Sequence, residues 1–400
     1  MSEKRVGALE GVRVLDLTRV LAGPFAAMML ADMGAEVIKI EVPGRGDDSR
    51  AFGPFINGES AYYMNLNRNK KGVTLDLKSP EGKEIFLEMV KKSDVVVENY
   101  RPGTMEKLGL GYDKLKEVNE GIVYAAVSGF GHYGPYMKRP GYDIIGQAMG
   151  GLMSTTGWPG GEPTRTGTAM GDVLGGLSVA VGILAALKSK DATGKGQKVD
   201  VALVDSVVAS MEIITQIYLA EGRIPERIGN RYETVYPYDS FKAKDGSLVI
   251  GAGNEKLYQD LCKVMGTPEL AYDERFNTIP KRKERHVEMK QIIEEWTKDK
   301  TVEELVDMLL NAGVPAAPIY GVDQVVKDPH IAEAREMFVK VKHPKAGDTT
   351  LTGCHIKLYD TKPEIRTPAP LLGQHNEEIY CGWLGYSKEK LEQLKERAII

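Results

Sequence analysis

A single carboxylic acid, Asp172, stands at the start of a long apolar run in RTGTAMGDVLGGLSVAVGILAAL, residues 165–187. An acid at the start of a helix is commonly a cap, because its oxygen accepts bonds from free backbone N–H groups. The helix dipole would also keep such a carboxylate ionised, which suits a nucleophile or a base. Neighbouring N–H groups could then hold a developing oxyanion. The residues alone leave both interpretations open.

Glycines crowd this acid, and Gly175, Gly176 and Gly182 fall inside the apolar run. Each glycine in a helix interior costs about 0.8–1 kcal/mol relative to alanine. Either close contact with another helix or a ligand lying against the backbone must offset that cost. The stretch from Val173 to Leu187 is predicted to be a buried core helix, too short to span a bilayer. A second apolar helix is predicted over roughly residues 201–220.

The segment RPGYDIIGQAMGGLM, residues 139–153, offers a second pair of polar side chains, Tyr142 and Asp143. A plain helix start with a half-buried tyrosine is the alternative interpretation. None of the six histidines lies in a nucleophile motif or at a metal-ligand spacing, so we expect no metal site. His132, in SGFGHYGPY, is the histidine placed to approach a ligand.

Basic residues follow paired tyrosines in ESAYYMNLNRNKKGVTLDL, which contains Arg68, Lys70 and Lys71. This cluster is either a solvated turn before a strand or an anion-binding rim for phosphates and carboxylates. The same two interpretations apply to NYRPGTMEKLG, which contains Arg101 and Lys107.

The elements that must position these side chains alternate between strand and helix. Predicted strands cover residues 12–18, 36–41, 73–77, 94–100 and 122–130, with helices over 23–33 and 79–93, the second capped by Ser79. Such alternation favours a parallel sheet with ligands at the carboxyl ends of its strands, where Asn99 and Ser128 stand. Neither GxGxxG nor a P-loop pattern is present, which argues against a nicotinamide cofactor or ATP.

Composition excludes several classes of protein. The 400 residues are 42% hydrophobic and 27% charged, as in soluble globular proteins, and the net charge of −4 gives no footprint for nucleic acid. The three cysteines are widely spaced, which indicates reduced thiols and predicts a cytoplasmic protein. The N-terminal residues lack a secretory signal, and no membrane association is expected.

Many segments together resemble the family III CoA-transferases, also called the CaiB/BaiF family. They occur in family order from about Leu9 to His375, and include LEGVRVLDLTRVLAGPFAAMMLADMGAEVIKIE, DVVVENYRPGTMEKLGLGYDKL, RPGYDIIGQAMGG, MGDVLGG and TGKGQKVDVALVDS. Two further segments, GDDSRAFGPFINGESAYY and GFGHYGP, are most similar in sequence to the branch of acetyl-CoA:oxalate and formyl-CoA transferases.

The resemblance implies an α/β fold: a large CoA-binding domain with a Rossmann-like parallel sheet, a smaller α+β domain, and an interlocked homodimer. The expected boundaries are residues 1–220 for the first part of the large domain, 221–328 for the small domain with its linkers, and 329–400 for the return to the large domain. No tightly bound cofactor is implied; a coenzyme A thioester is a substrate.

The family's catalytic acid falls on Asp172, which would attack an acyl-CoA thioester and form a mixed anhydride, then an aspartyl-CoA thioester. The bare backbone around it would leave room for the thioester carbonyl. Two groups of residues carry over by position: substrate-binding Leu21, Phe52, Tyr62, Tyr142 and Asp143, and CoA-binding Val20, Asn99, Tyr100 and Lys107. Small carboxylates are the implied acceptors.

Three positions depart from the formyl-CoA transferase pattern: Leu21 replaces a Gln, Phe52 a Trp and Lys107 an Arg. That enzyme's glycine-rich covering loop also has no counterpart. Two rival functions stay open. A 2-methylacyl-CoA racemase would need a histidine where Tyr142 stands, and a non-catalytic CoA-binding protein would not need Asp172.

Overall fold

The computed structural model describes residues 7–400, which divide by their contacts into two compact units. Among the described residues, the larger unit comprises residues 7–152, 165–212 and 328–400, and the smaller one residues 153–164 and 213–327. The sequence-based boundaries near 220 and 328 stay a prediction; the observed grouping also assigns residues 153–164 to the smaller unit.

Thirteen strands and sixteen α-helices are formed within residues 7–400. The strands are β1 (Arg13–Asp16), β2 (Glu36–Glu41), β3 (Phe55–Ile56), β4 (Glu59–Ser60), β5 (Lys70–Thr74), β6 (Val95–Glu98), β7 (Val123–Ser128), β8 (Lys198–Ala202), β9 (Tyr238–Lys242), β10 (Ser247–Gly251), β11 (Ala316–Pro318), β12 (Phe338–His343) and β13 (Gly347–Thr352). The helices are α1 (Ala22–Asp32), α2 (Ala61–Asn67), α3 (Pro80–Lys91), α4 (Thr104–Leu108), α5 (Tyr112–Val118), α6 (Asp143–Met149), α7 (Leu152–Thr155), α8 (Met170–Thr193), α9 (Leu203–Ser210), α10 (Glu212–Glu221), α11 (Glu255–Val264), α12 (Ile279–Glu284), α13 (His286–Thr297), α14 (Val302–Asn311), α15 (Val322–Val325) and α16 (Lys388–Glu396).

The larger unit is built on a six-stranded parallel sheet in the order β5-β2-β1-β6-β7-β8. Neighbouring residues of one strand face opposite sides, so Val14 belongs to the core under α1 and α8, and Leu15 to the core under α3 and α16. From β1 the chain runs to one edge through β2 and β5, and then to the other through β6, β7 and β8. Strand order therefore reverses between β1 and β6, and ligands of open α/β sheets bind at such a point. The predicted parallel sheet is confirmed.

Helix α8 packs closely on its neighbours at its glycines. A Cβ on Gly176 would lie 2.7 Å from the carbonyl oxygen of Ala22 in α1, and one on Gly182 would lie 2.6 Å from Val199 of β8. A Cβ on Gly175 would similarly lie 2.6 Å from Leu203. Of the two explanations for these glycines, close packing is the one observed. The expectation that the missing volume makes room for a thioester carbonyl is wrong for these three positions.

Two apolar helices differ from their predicted extents. Helix α8 has 24 residues, because the polar residues after Leu187 continue it to Thr193, and by length and hydropathy it could cross a membrane. Its inner face nevertheless packs against α1, β7 and β8 as a core helix of the larger unit. The helix predicted over residues 201–220 instead starts as strand β8 and is interrupted between α9 and α10.

The smaller unit has its own core under a three-stranded antiparallel sheet, β11-β10-β9. Apolar residues of α11, α13 and α14, including Leu261, Ile293 and Leu309, fill that core. Helix α14 starts with a capping box, in which Thr301 and Glu304 satisfy each other's backbone N–H groups.

Candidate active site

A cavity opens where the sheet order reverses, beyond the carboxyl ends of β1, β6 and β7. Three loops and the start of α8 form its wall. The predicted site residues that line it are Val20, Leu21, Asn99, Tyr100, Tyr142 and Asp172. The other lining residues are Arg19, Ala22, Asp48, Arg101, Pro102, Val127, Ser128, Gly129, Arg139, Pro140, Gly141 and Leu203.

Asp172 presents a half-buried carboxylate to this cavity. It is the third residue of α8, whose N-cap is Ala169, so of the two interpretations left open, the helix cap is not the one observed. Its carboxylate has no hydrogen bond or ion pair to any residue between 7 and 400. Burial, together with the negative charge of Asp143, raises the pKa of Asp172 to about 7. The start of the helix therefore does not hold this pKa low as expected, because burial and the charge of Asp143 raise it.

Asp143 is the residue that caps α8. Its Oδ1 accepts the Gly171 N–H at 2.8 Å and the Asp172 N–H at 3.4 Å, while its Oδ2 accepts Gln147 Nε2 at 2.8 Å. Gln147 in turn accepts the backbone N–H of Thr166 at 3.0 Å. The first N–H groups of α8 are thus already occupied, which contradicts the expectation that they would be available to hold an oxyanion.

The loop after β1 carries backbone strain at the cavity wall. Val20 has a φ of 67°, a region that a β-branched residue rarely occupies. Asn99 clamps the preceding residue: its side chain accepts the N–H of Arg19 at 2.8 Å and donates to the Arg19 carbonyl at 2.7 Å. Asp47 accepts the N–H of Val20 at 3.2 Å. These polar contacts hold the loop in its strained shape.

Three arginines give the cavity a cationic side. Arg19 lies over the Tyr100 ring at 5.4 Å and pairs with Asp48 at 3.2 Å, while Arg101 and Arg139 are exposed. Planar guanidinium groups are well matched to phosphates and carboxylates. Arg19 directly follows the first predicted strand, and Arg139 starts the RPGYD segment. These positions in the sequence could have identified both arginines as candidate site residues.

Two glycines missed by sequence reasoning allow the cavity loops to meet. A Cβ on Gly129 would lie 2.6 Å from the Cα of Gly141, so the loop after β7 and the loop before α6 are in backbone contact. The contact places Tyr142 beside the strand ends, where it is 74% exposed.

The remaining predicted residues lie outside the cavity lining. Phe52 and Tyr62 form an edge-to-face pair with centroids 5.8 Å apart. Burial and the negative charge of Asp172 raise the pKa of Tyr62 to about 12, so Tyr62 is within electrostatic reach of that carboxylate. Lys107 is exposed on the short helix α4.

Of the basic cluster after α2, two members are not available as an anion-binding rim. Arg68 pairs with Asp32 at 2.8 Å, and Lys70 pairs with Asp16 at 2.8 Å, both inside the protein. Lys71 is partly exposed and pairs with Glu36 at 2.8 Å.

Comparison with known proteins places this chain in a family. The model of CoA-transferase family III matches residues 9–376. The chain is 40% identical to the succinyl-CoA–D-citramalate CoA-transferase of Chloroflexus aurantiacus, over all of both chains. It is 41% identical to the acetyl-CoA:oxalate CoA-transferase of Acetobacter aceti, over 93% of this chain and 94% of that protein.

A crystal structure agrees with the sequence comparisons. That of a CaiB/BaiF family protein from Brucella suis superposes with a TM-score of 0.83 at 36% identity, and covers 94% of this chain and 100% of that one. The protein is therefore a member of CoA-transferase family III and an enzyme of the acyl-CoA:carboxylate CoA-transferase type.

Proposed function

We propose that this enzyme moves coenzyme A from an acyl-CoA donor to a small dicarboxylate through covalent intermediates on Asp172. One observation carries the proposal: Asp172 is an unpaired, half-buried carboxylate at a cavity where the sheet order reverses. A carboxylate that pairs with no cation keeps its electrons available to attack a carbonyl carbon.

The reaction needs four balanced steps. A carboxylate oxygen of Asp172 attacks the thioester carbonyl, the C–S bond breaks, and CoA leaves as a thiolate beside a mixed anhydride. The thiolate attacks Cγ of Asp172, which releases the donor acid as its carboxylate and leaves an aspartyl-CoA thioester. The acceptor carboxylate then attacks that Cγ and expels the thiolate. Finally the thiolate attacks the acceptor's carbonyl, which regenerates the Asp172 carboxylate and gives the new acyl-CoA.

Residues of the cavity and of its surroundings divide this work between binding and chemistry. The Val20–Leu21 backbone and the Asn99–Tyr100 segment would hold coenzyme A, and Arg19 and Arg101 would face its phosphates. Tyr62, Phe52 and the exposed ring of Tyr142 would cover the acyl part, while Asp143 fixes the start of α8 and so the position of Asp172. Lys107 would contact the outer part of CoA.

Two observations support a dicarboxylate acceptor. Citramalate and oxalate, named in the relatives' activities, each carry two carboxylates, of which one reacts and one is left to be bound. Arg139, the cavity arginine that is not assigned to the CoA phosphates, supplies the charge such a group requires.

Trapping tests the covalent route. The protein is incubated with acetyl-CoA or succinyl-CoA, treated with hydroxylamine or borohydride, and digested for peptide mass analysis. We expect a modification on the peptide containing Asp172. An unmodified peptide under turnover conditions would contradict the mechanism. A panel of the same donors against oxalate, succinate and acetate then identifies the acceptor class.

We also propose the interlocked homodimer. Four apolar side chains are exposed on and beside α6, a helix that packs on α8, namely Tyr142, Ile144, Ile145 and Met149. An apolar surface of this kind commonly marks a protein interface. Light scattering after size-exclusion chromatography should give twice the mass of the chain; a monomer would contradict the proposal. The cytoplasmic location also stays a proposal, supported by three free cysteines at 262, 354 and 381.

A further inference from the structure

A buried group of titratable side chains lies directly behind the cavity wall and plays no part in the proposed chemistry. Glu98 ends β6, Tyr124 is on β7, His132 follows β7, and Lys198 is on β8. Glu98 is 1% exposed, and the His132 side chain is 6% exposed. Burial of so many polar groups is costly unless they bind one another.

Glu98 connects this group to the cavity. Its Oε2 accepts the backbone N–H of Tyr100 at 2.7 Å, and its Oε1 accepts the hydroxyl of Tyr124 at 2.9 Å. Tyr100 lines the cavity and stands next to Asn99, which clamps the Arg19 backbone. The charge on Glu98 therefore acts on the segment proposed to bind coenzyme A.

His132 lies between Glu98 and a lysine. Its Nδ1 is 3.2 Å from Lys198 Nζ, and because an ammonium can only donate, Nδ1 must be the acceptor. The imidazole proton is therefore on Nε2, which lies 3.6 Å from Glu98 Oε1 and has no hydrogen-bond partner among residues 7–400. Asp200 accepts the backbone N–H of His132 at 2.9 Å and fixes the loop. A small movement would close the contact with Glu98.

We propose that Glu98, supported by His132 and Lys198, is a positioning residue that couples coenzyme A binding to its own ionisation through the Tyr100 backbone. The proposal rests on the proposed function, because it assumes that Asn99 and Tyr100 contact CoA. When Glu98 is ionised, both of its oxygens accept bonds and hold the segment. When it is protonated, one oxygen becomes a donor, and the bond to Tyr100 loses its charge-assisted strength.

The direction of the pH effect follows from the surroundings of Glu98. Burial raises the pKa of Glu98 to about 7, and burial together with the charge of Lys198 lowers the pKa of His132. Affinity for CoA should therefore fall as the pH drops through about 7. The charged and titratable groups facing this pair are Tyr100, Glu106, Tyr124, Lys198 and Asp200.

Calorimetry of coenzyme A binding to the full chain tests the inference. We expect the wild-type Kd to rise roughly five- to tenfold between pH 8 and pH 6, as a charge-assisted bond becomes a neutral one. Titrations at pH 7 in buffers of different ionisation enthalpy should show protons released on binding. Glu98→Gln should bind weakly at every pH and lose this part of the proton release.

Variants of His132 separate positioning from simple structural support. His132→Leu should move the midpoint of the Kd profile to higher pH, because Glu98 loses a facing N–H donor, and His132→Gln should restore it towards wild type. The CoA phosphate and Asp172 titrate alike in all variants and cancel in the comparison. A Glu98→Gln profile parallel to wild type would overturn this inference. An absence of CoA binding by wild type at any pH would instead overturn the proposed function.

Discussion

The larger unit buries two groups of charged side chains that differ in their partners. Beneath the strained loop, Lys39 pairs with Asp47 at 2.9 Å and Lys70 with Asp16 at 2.8 Å, and all four side chains are 0% exposed. At the cavity, Asp172 has no cation beside it and faces the charge of a second acid.

Buried carboxylates have their pKa values shifted in opposite directions in the two groups. Burial would raise the pKa of Asp47 and of Asp16, but the neighbouring ammonium groups outweigh it and hold both pKa values below normal. Burial raises the pKa of Asp172 to about 7, since no cation opposes it. In a buried pair each charge offsets the desolvation cost of the other, whereas the unpaired carboxylate costs stability and is retained for chemistry.

Removal of the unpaired carboxylate should have the largest effect on activity. Asp172→Ala is expected to lower kcat/KM by at least roughly 10⁴-fold, because the nucleophile is lost. The variant should still bind CoA and should unfold no earlier than wild type above pH 7, where the buried charge is unfavourable. Asp113→Ala, an exposed acid in the first turn of α5, is the matched control and should keep full activity. Near wild-type transfer by Asp172→Ala would refute the assignment.

Removal of a paired charge should have the largest effect on stability. Lys39→Met leaves Asp47 buried without its cation, which is expected to lower the free energy of unfolding by about 3–5 kcal/mol. Because the pKa of Asp47 is lowered, the pair contributes above the unfolded carboxylate's pKa and is lost only in strong acid. In the variant, a buried Asp47 without its cation should take up a proton more readily, as Asp172 does, so in denaturant titrations the deficit should be full at pH 8 and shrink towards pH 6. A negligible deficit at pH 8 would contradict the pairing.

The pH dependence of kcat/KM should show the effect of Asp143 on the pKa of Asp172. Since Asp172 must be ionised to attack, kcat/KM should fall as the pH drops below about 7. Asp143→Asn removes the facing charge, while its amide oxygen can still accept the Gly171 N–H, so the acidic limb should move down by about one pH unit. An unmoved limb in Asp143→Asn would show that desolvation alone sets the pKa of Asp172.

Local rules predicted the framework of the larger unit from the sequence. The alternating segments gave the parallel sheet, and Ser79 caps α3 by accepting the Gly82 N–H at 2.9 Å, as predicted. Asn99 and Ser128 lie at the cavity because strand ends converge. Each of these features depends on residues close in the chain or on one general property of parallel sheets.

The electrostatics of the site depend on contacts between distant residues, which one sequence does not reveal. Asp143 caps a helix whose first turn lies 28 residues away, and that contact positions Asp172 and adds to the rise in its pKa that burial causes. Arg68 and Lys70 looked like surface cations, yet partners 36 and 54 residues distant bury them. No glycine or proline marks the break between α9 and α10 in the sequence, since the residues there are Met211 and Glu212.

The smallest effect on stability is predicted for an exposed ion pair, and it separates the contribution of burial from that of pairing. Lys114 pairs with Glu117 at 3.0 Å, much like Lys39 with Asp47, but both partners are about half exposed. Water screens an exposed pair and side-chain entropy opposes it, so Lys114→Met should change the free energy of unfolding by less than about 1 kcal/mol and leave kcat/KM unchanged. The same denaturant titrations measure both lysine variants. If Lys114→Met destabilised the protein as much as Lys39→Met, loss of the ion pair by itself would explain the effect of Lys39→Met, and burial of the pair would not.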